Sequence, residues 1–531
     1  MSRPEPRLVR LLLRRHRGQL SAWTGLLVVL TGATTSAYQT TYATAEQRRA
    51  ATELAQHNAA STVLYGVLAG EQPAHMFVWE IGAFATILAG VMAVVTAVAM
   101  TRAGEDDGTV ELLRGSGVPP AAPLHAALLA LAAVASVVAL GCGAAVALST
   151  GRVDGITWPG ALLFGTAVGT TFLLTAYLTV VVAQVAPTAT GARSLGFTLL
   201  AGAFLLRATA DVQDIPWLNH LSVLGLRASV RPFDGNRAWA ALVAVAVAAG
   251  LGGLSVWLAR RREHGAGLVA RGERRMPRRI IGSGLGLTAR LVSAQAARWT
   301  VAVACLGTAF DAMGSGAVEQ AWRDQLGGFL GTQVGALDPV AGFLGYVGTL
   351  VAIGTCAFAL LSILTVSRDE TAGRTDLVLS TGTRRWAPLA WRVVVTGAAS
   401  LVLLLVTGAL AAVVTPQVMD GDDVARRALA SAVGQWPAVL ALIGWGAFVV
   451  GRWPRRGWLT WVPLVLSSAL VLLGGLLGVG ERIQDLAIFG HVPDVAVPDP
   501  QVGPLVLLAA VGVAGALLGV WAVARRDVAS S

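Results

Sequence analysis

The sequence predicts an all-α membrane protein of about twelve transmembrane helices, arranged as two related halves. The prediction rests on composition, on the spacing of apolar runs and on an internal repeat. Of the 531 residues, 55% are hydrophobic and only 13% are charged, and the mean hydropathy is +0.66. Because about a quarter of the residues in a soluble domain are charged, this chain has too little polar surface to face water all round. In lipid each spanning segment must satisfy its own backbone, so the spans are expected to be helices.

Twelve apolar runs are candidates to cross a hydrocarbon core about 30 Å thick. The first half contains six, at residues 19–37, 76–100, 123–149, 158–185, 194–208 and 237–259. The second half contains the other six, at residues 297–316, 341–366, 389–415, 432–451, 457–478 and 503–523. The run at 194–208 is short, so a tilted, broken or re-entrant span is expected there.

Arginine supplies the basic charge of this chain, which contains no lysine and has a net charge of +10. A cytoplasmic N-terminus places 29 of the 40 arginines on the inner side, as the positive-inside rule requires. The sequence therefore predicts a multi-pass protein of the cell membrane with both termini cytoplasmic. The densest cluster lies between the halves and is interpreted as a topology-setting linker that touches anionic lipid, rather than a nucleic-acid site. It consists of Arg260, Arg261, Arg262, Arg271, Arg274, Arg275, Arg278 and Arg279.

The polar residues predict neither a catalytic nor a metal site. Cys142, Cys305 and Cys356 all lie inside apolar runs, and no two histidines stand at ligand spacing. Without lysine the chain cannot carry a standard P-loop, whose lysine reaches the β- and γ-phosphates of a nucleotide. If ATP drives this protein, a separate subunit must bind it.

Two segments outside the spans have helical character. Arg7, Arg10, Arg14 and Arg17 recur at helical spacing opposite a leucine-rich side, which indicates an amphipathic helix in the membrane interface. A cleaved signal peptide is the alternative. The outer loop at 38–75 is expected either to cap an exit path or to be a plain solvated loop.

An internal repeat relates the halves at one constant offset of 265 residues. The matched pairs in the loop after the second span are Glu105/Glu370, Gly108/Gly373, Glu111/Asp376, Leu112/Leu377, Gly117/Gly382 and Pro123/Pro388. The same offset relates Leu221 and Gly225 to Leu486 and Gly490. The chain is therefore predicted to be a fused duplication of residues 1–265 and 266–531. An even number of spans per half makes these parallel repeats, related by an axis along the membrane normal.

The repeated loop predicts a helix end, a glycine turn and a short helix close to parallel with the membrane. Gly108 and Gly373 supply a permissive backbone for the turn. Glu111 and Asp376 suit the N-terminal end of the short helix dipole. Leu112 and Leu377 are expected to face a partner or the protein's own underside. The alternative is a solvated loop inherited with the duplication.

These residues carry a resemblance to a known family. The pattern Glu105-x-x-Gly108-Thr109-x-Glu111-x-Leu113 resembles the coupling segment of ABC-2 type exporter permeases, and the layout of the spans is similar. The fused form is similar to actinobacterial permeases of the polyketide-antibiotic (tetronasin-type) and multidrug efflux group. That likeness is carried by Leu221-Ser222-x-x-Gly225, Arg231-Pro232-Phe233 and Phe489-Gly490-His491-Val492-Pro493. The second copy departs from the pattern at Arg374 and Asp376.

The resemblance implies an ABC-2 type permease fold and a transport subunit that is not itself an enzyme. Two copies of a soluble ABC ATP-binding subunit, which bind ATP and Mg²⁺, would dock on the two segments and transmit their closure through spans two and three of each half. Hydrophobic antibiotics or other drug-like cargo would then leave along the interface between the halves. The residues expected to couple are Glu105, Gly108, Glu111, Leu112, Glu370, Gly373, Asp376 and Leu377.

Charged and aromatic residues inside spans are candidates for the substrate path. Glu80 and Asp311 lie near the outer ends of spans two and seven, and Arg207 is expected to end span five. For Glu80 the alternatives are interface placement or a local hydrogen-bonded partner. Four aromatic residues either line an apolar pathway or pack against lipid and neighbours: Phe172, Tyr177, Trp436 and Trp445.

Two other functional classes remain open at this point. A secondary transporter would use ionisable residues near the bilayer midplane, whereas this chain keeps its few near span ends. A membrane-embedded enzyme acting on lipid-linked substrates would need a carboxylate or histidine constellation at a membrane face.

Overall fold

The computed structural model describes residues 5–57, 59–262, 267, 282–312, 314, 318, 338–421, 423–474, 479–493 and 501–526. Over these residues the chain is helical, with turns and short 3-10 segments and no β-strand. The chain packs as two compact units, Met1–Met276 and Pro277–Ser531. The arginines predicted at 271–279 lie outside the described residues, and the predicted boundary after residue 265 stays a prediction.

The first unit contains twelve helices in its described part. They are α1 (Glu5–Arg15), α2 (Arg17–Thr41), α3 (Ala45–His57), α4 (Ala59–Tyr65), α5 (Pro73–Met100), α6 (Arg102–Asp106), α7 (Thr109–Gly115), α8 (Ala122–Ala147), α9 (Trp158–Val185), α10 (Ala189–Val212), α11 (Leu226–Val230) and α12 (Ala238–Arg261). A 3-10 segment, Pro216–Leu221, precedes α11.

The second unit contains nine helices in its described part. They are α13 (Gly284–Asp311), α14 (Pro339–Thr371), α15 (Arg374–Leu379), α16 (Ala387–Val414), α17 (Val424–Val433), α18 (Trp436–Arg452), α19 (Val462–Leu473), α20 (Glu481–Gln484) and α21 (Val502–Arg525). The 3-10 segments are Thr415–Gln417, Pro454–Trp461 and Ile488–His491.

Ten helices of the described chain are long and apolar enough to cross a membrane, so this is a multi-pass membrane protein. Their bounds are Arg17–Thr40, Pro73–Asp106, Ala122–Ala147, Trp158–Val185, Ala189–Val212, Ala238–Arg261, Pro339–Thr371, Ala387–Gln417, Val424–Arg452 and Val502–Arg525. The predicted number of twelve, in two six-helix repeats, stays a prediction.

The two remaining predicted spans differ from the ten in composition or length. The part of the run at 297–316 up to Asp311 lies in α13, which also carries Arg290, Gln295 and Arg298 and is therefore less apolar. The run at 457–478 begins in the 3-10 segment Pro454–Trp461, and α19 has only 12 residues. Its last four residues lie outside the described chain.

The expectation of a broken or re-entrant span at 194–208 is wrong. Helix α10 is continuous over 24 residues, or about 36 Å at the usual rise of about 1.5 Å per residue. The hydroxyl of Thr188 caps it by accepting the backbone N–H of Gly191 at 3.1 Å. Arg207 therefore lies within α10, five residues before Val212, and does not end the span.

The two predicted helical segments outside the spans are both helical. Helix α1 buries Leu8 against Ala122 and Ala126 of α8, while Arg7 and Arg10 are exposed, which is the predicted amphipathic arrangement. The outer loop contains α3 and α4, separated by residue 58.

Small residues let the long helices pack backbone to backbone, as is common in membrane bundles. A Cβ added to Gly165 of α9 would lie 2.2 Å from the carbonyl oxygen of Ala139 in α8. In the second unit, a Cβ on Gly444 of α18 would lie 2.1 Å from the carbonyl oxygen of Gly512 in α21. These glycines are therefore required for the observed approach of the helices.

Candidate coupling site

The first repeated segment is a helix end, a glycine turn and a short helix, as the sequence predicts. Helix α5 ends at Met100, and α6 follows as a single short turn. Gly108 then adopts a left-handed φ of 75° directly before α7. After α7, Gly117 adopts φ 82° and leads into α8. L-residues other than glycine disfavour this conformation, so both turns need glycine.

The second segment repeats this geometry. Helix α14 runs without a break to Thr371, and Gly373 adopts φ 69° directly before α15. Gly382 adopts φ 80° ahead of α16. The duplication is therefore preserved in backbone conformation, including the two left-handed glycines nine residues apart.

The exposed face of each short helix combines one acidic residue with one leucine. Glu111 and Asp376 stand in the first turn of α7 and α15 and are both exposed. Leu112 is 78% exposed and Leu377 is 71% exposed. The leucines therefore face away from the protein's own helices, which resolves that part of the sequence prediction in favour of an outward orientation.

The first acidic residue of each segment faces inward instead. Glu105 forms an ion pair with Arg262, which directly follows α12. Glu370 forms a two-pronged ion pair with Arg526, which directly follows α21, and one prong measures 2.6 Å from Nη2 to Oε2. Glu105 and Glu370 therefore hold their segments against the last helix of the unit and are not part of the exposed face.

Each of these arginines also forms a hydrogen bond to a further helix of the same unit. The Nε–H of Arg262 donates to Oε1 of Gln184 at 2.8 Å, near the end of α9. The Nε–H of Arg526 donates to the carbonyl oxygen of Gly451 at 2.6 Å, near the end of α18. We call the two sets, Glu105–Arg262–Gln184 and Glu370–Arg526–Gly451, the arginine bridges.

A second repeated contact lies beside each arginine bridge. Arg102, which is almost fully buried, donates to the carbonyl oxygen of Pro187 at 2.8 Å and to Glu105 at 2.6 Å. The equivalent residue Ser367 donates to the carbonyl oxygen of Pro454 at 2.6 Å. In both units the start of the segment is thus bonded to the loop after α9 or α18.

Two aspartates complete the first segment. Asp106 accepts the backbone N–H of Ala189 at 2.7 Å and so fixes the start of α10. Asp107 accepts Nη2 of Arg15 in α1 at 3.0 Å and the backbone N–H of Thr109 at 3.0 Å. Burial acts to raise the pKa of Asp107, but the hydrogen bonds from Thr109 and Arg15 outweigh it and lower the pKa below its usual value.

The candidate carboxylates of the substrate path are both buried. Glu80 lies two turns into α5, is 4% exposed and accepts a hydrogen bond from the hydroxyl of Tyr38 in α2. This matches the sequence alternative of a local hydrogen-bonded partner. Asp311 is the last residue of α13 and is 2% exposed. The structure describes these two residues in separate units.

The four candidate aromatic residues have different surroundings. Phe172 is fully buried in the core of the first unit. Tyr177 donates its hydroxyl to the carbonyl oxygen of Leu128 at 2.9 Å and lines a groove described below. Trp436 and Trp445 donate their indole N–H groups to the carbonyl oxygens of Gly397 and Leu459, at 3.2 and 3.0 Å. The two tryptophans thus serve helix packing in this structure, and Tyr177 is a buried core residue whose ring reaches the wall of that groove.

Comparison with known proteins identifies the family. The family model described as "Multidrug efflux system permease Rv1217c, C-terminal domain" matches residues 281–523. The chain is also 32% identical to the multidrug efflux system permease protein Rv1217c of Mycobacterium tuberculosis (strain ATCC 25618 / H37Rv). That alignment covers 98% of this chain and 94% of the relative. The chain belongs to this family of multidrug efflux permeases.

The contacts of several residues that organise the permease were not predicted from the sequence, which placed Arg262 only in the topology-setting linker. Arg262 and Arg526 lie 264 residues apart, one fewer than the repeat offset, and each follows a tryptophan by five residues: Trp257 and Trp521. This repeated pattern at the end of the last helix of each unit was the available signal. No comparable repeated pattern marks Arg102 in the sequence, because its counterpart is Ser367 and not an arginine.

A second group of contacts that the sequence did not predict lies at the other end of the first unit. Arg227 donates to the carbonyl oxygen of Val78 at 2.8 Å and to that of Tyr65, while Arg207 donates to the carbonyl oxygen of Leu64 at 3.1 Å. These arginines hold the C-terminal end of α4 against α5 and α10. The outer loop is therefore docked on the permease through its second helix.

Proposed function

We propose that this permease is the membrane subunit of an ATP-driven exporter of the ABC-2 type. Its two repeated segments would each receive one copy of a separate ABC ATP-binding subunit, which binds ATP and Mg²⁺. Membership of the efflux permease family supports the transport role. The absence of lysine, and with it a standard P-loop, supports a separate ATPase.

The observation that carries the proposal is the repeated pairing of an outward leucine with an inward ion pair. Leu112 and Leu377 are large apolar side chains that protrude from short helices. An exposed leucine beside an exposed carboxylate, repeated in both units, is the surface on which we expect the partner to dock. The arginine bridges tie α6 to the ends of α12 and α9, and the end of α14 to the ends of α21 and α18, directly before the glycine turns that lead into the short helices. A force on the leucine would therefore reach the spans.

In the proposed mechanism these contacts transmit movement from the short helices to the spans. Closure of the ATP-binding subunits would move α7 and α15. The movement of α7 would pass through Glu105 and Arg262 to α12, and through Gln184 to α9. Such transmission requires an element with two discrete arrangements whose balance ATP and cargo both bias. Cargo would leave along the interface between the repeats.

The proposed cargo is a hydrophobic, drug-like molecule, including polyketide antibiotics. The name of the Mycobacterium tuberculosis relative supports multidrug efflux. The resemblance of the loop motifs to the tetronasin-type group supports antibiotics as one class of cargo.

Co-purification with a candidate P-loop ATPase of the ABC type from the same organism tests the proposal. Leu112→Asp and Leu377→Asp should each weaken retention of the ATPase, and the double variant should lose it. Leu221→Asp and Leu486→Asp are matched controls, because these repeat-related leucines are 65% and 66% exposed but lie outside the segments. The controls should retain the ATPase.

Transport by the purified permease alone would contradict the proposal. Drug uptake into inverted proteoliposomes should require both the ATPase and ATP. Uptake driven by a proton or sodium gradient without ATPase would instead support a secondary transporter, for which buried Glu80 is the candidate ion-binding group.

A further inference from the structure

The first unit contains a groove between α8, α9 and α12, at the same end as the coupling segment. Its volume is about 490 Å³, within the range of roughly 300–1,000 Å³ usual for sites of small ligands. Tyr177 and Gly252 form part of its wall, and His125 and Arg260 supply its polar groups. The other lining residues are Leu128, Ala249, Gly253, Val256 and Trp257.

The groove forms where the ring of Tyr177 lies between α9 and α12. A Cβ on Gly252 of α12 would lie 3.1 Å from Cε2 of this ring, so the tyrosine stands directly between α9 and α12. Its hydroxyl is already bonded to the carbonyl oxygen of Leu128. The ring therefore presents an apolar face to the groove, with its polar end satisfied.

The second unit has different residues at the equivalent places. The arginine bridges align Gln184 with Gly451 and Arg262 with Arg526, which puts Gly444 at the place of Tyr177. There α18 and α21 touch backbone to backbone. The difference of 264 residues puts Ala524 at the place of Arg260, and the repeat offset of 265 puts Ala390 at that of His125. The tyrosine, the cation and the imidazole thus occur together in the first copy.

The groove is polar at one end and apolar along the rest of its lining, a distribution that matches an amphipathic ligand. Arg260 is exposed at its end, and His125 at the start of α8 can donate a hydrogen bond. The neighbouring cation Arg261 stacks on Trp257, with Cζ 4.1 Å from the ring centroid. Trp257 is 48% exposed on the surface of a membrane-spanning helix, as is typical of interfacial tryptophans.

We propose that this groove binds an anionic phospholipid. The phosphate would lie against Arg260 and His125, and an acyl chain would follow the apolar floor over Tyr177 and Gly253. Basic pockets between transmembrane helices are established sites for anionic headgroups. The groove opens beside exposed apolar side chains of α12, including Leu254, so a lipid can enter from the bilayer without crossing water.

Native mass spectrometry of the full chain in detergent tests the site by titration with phosphatidylglycerol or phosphatidylcholine. Wild type should bind one phosphatidylglycerol saturably and in preference to phosphatidylcholine. Arg260→Gln should weaken that binding about fivefold, because one arginine near a headgroup contributes about 1 kcal/mol. Its control is Arg525→Gln, which removes an arginine at the end of the last helix of the second unit, where Arg525 stacks on Trp521 as Arg261 stacks on Trp257.

A groove-filling variant tests the apolar part. Gly253 lines the groove and a Cβ there meets nothing within 4 Å, so Gly253→Leu should occupy the groove without disturbing the protein. Gly250→Leu is the control, because Gly250 is equally open and does not line the groove. Gly253→Leu should abolish saturable phosphatidylglycerol binding, and Gly250→Leu should preserve it.

Three results would overturn the proposal. These are equal affinity of wild type for the two lipids, unchanged phosphatidylglycerol binding by Gly253→Leu, and equal weakening by Arg260→Gln and Arg525→Gln. A fluorescent cationic or anionic drug whose binding depends on Gly253 while that of phosphatidylglycerol does not would show a cargo site instead. Melting temperatures confirm that the variants are folded. The assay uses neither ATPase nor transport, so its outcome is independent of the proposed function.

Discussion

The arginine bridges predict that the two coupling segments respond unequally to loss of their arginines. Arg526→Met removes both prongs from Glu370, which is 6% exposed, and the bond to Gly451. Removing one partner of a buried ion pair costs about 3–5 kcal/mol. Because Arg526 is itself 18% exposed, we take the lower value of about 3 kcal/mol, which raises the local opening constant more than about 100-fold.

The same change in the first unit should cost less. After Arg262→Met, Glu105 keeps its ion pair with the buried guanidinium of Arg102 at 2.6 Å. The expected loss is about 1 kcal/mol, equivalent to about fivefold faster opening. In the second unit the equivalent of Arg102 is Ser367, whose hydroxyl donates to a backbone carbonyl and supplies no charge.

Hydrogen–deuterium exchange of peptides covering residues 101–117 and 366–382 measures both effects. The reporter amides are those of Gly108 and Gly373, which donate to the carbonyl oxygens of Glu105 and Glu370 at 3.3 and 3.0 Å. Arg525→Gln, next to the bridge, should leave exchange unchanged. The charge exchange Glu370→Arg with Arg526→Glu should restore part of the protection. Equal exchange in the two arginine variants, or no change in Arg526→Met, would refute this reasoning.

Three further predictions concern stability and are measured by thermal unfolding. Gly373→Ala should destabilise the segment by about 1–2 kcal/mol through its left-handed φ alone, whereas Gly115→Ala, in a helix with equal space, should not destabilise. Gly444→Ala should lower the melting temperature strongly, because its Cβ would lie 2.1 Å from the backbone of α21; Gly503→Ala has open space and should be neutral. Asp338→Ala should cost about 1 kcal/mol, since Asp338 caps α14. Its lowered pKa makes this contribution present at pH 7 and lost as pH falls below about 4.

The glycine turns and short helices of the two repeated segments were predictable because their geometry is local. A left-handed turn needs glycine, so Gly108 and Gly373 mark the turns in the sequence itself. The acidic residue and leucine that follow each glycine occupy the first turn of the short helix, and an exposed position there follows from the helical period. The same reasoning located helix α1, since its arginines recur on one side.

The orientation of Glu105 and Glu370 was not predictable from local pattern. Their arginine partners lie 157 and 156 residues further along the chain. An acidic residue in a cytoplasmic loop is usually solvated, and only the fold brings the end of the last helix beside it. A repeated arginine at nearly the repeat offset indicates such a pair, but does not show which residue it meets.

The packing faces of the spans were also not predictable from the sequence. Most spans are apolar all round, so the sequence leaves their packing faces ambiguous. Phe172 and Tyr177 are five residues apart on α9 and both belong to the core, yet only Tyr177 also lines the groove. The number of spans was also difficult to predict. Arg290 and Arg298 lower the mean hydropathy of α13, although the second half of this helix is apolar.

The stoichiometry of the complex tests the central proposal most directly. Native mass spectrometry of the permease with the ABC ATPase that co-purifies with it, trapped by ATP in a hydrolysis-deficient form, should give one permease chain and two ATPase chains. Leu112→Asp and Leu377→Asp should each reduce the complex to one ATPase chain, because each removes one of the two repeated docking helices. A one-to-one complex in wild type that both variants leave intact would contradict the proposal.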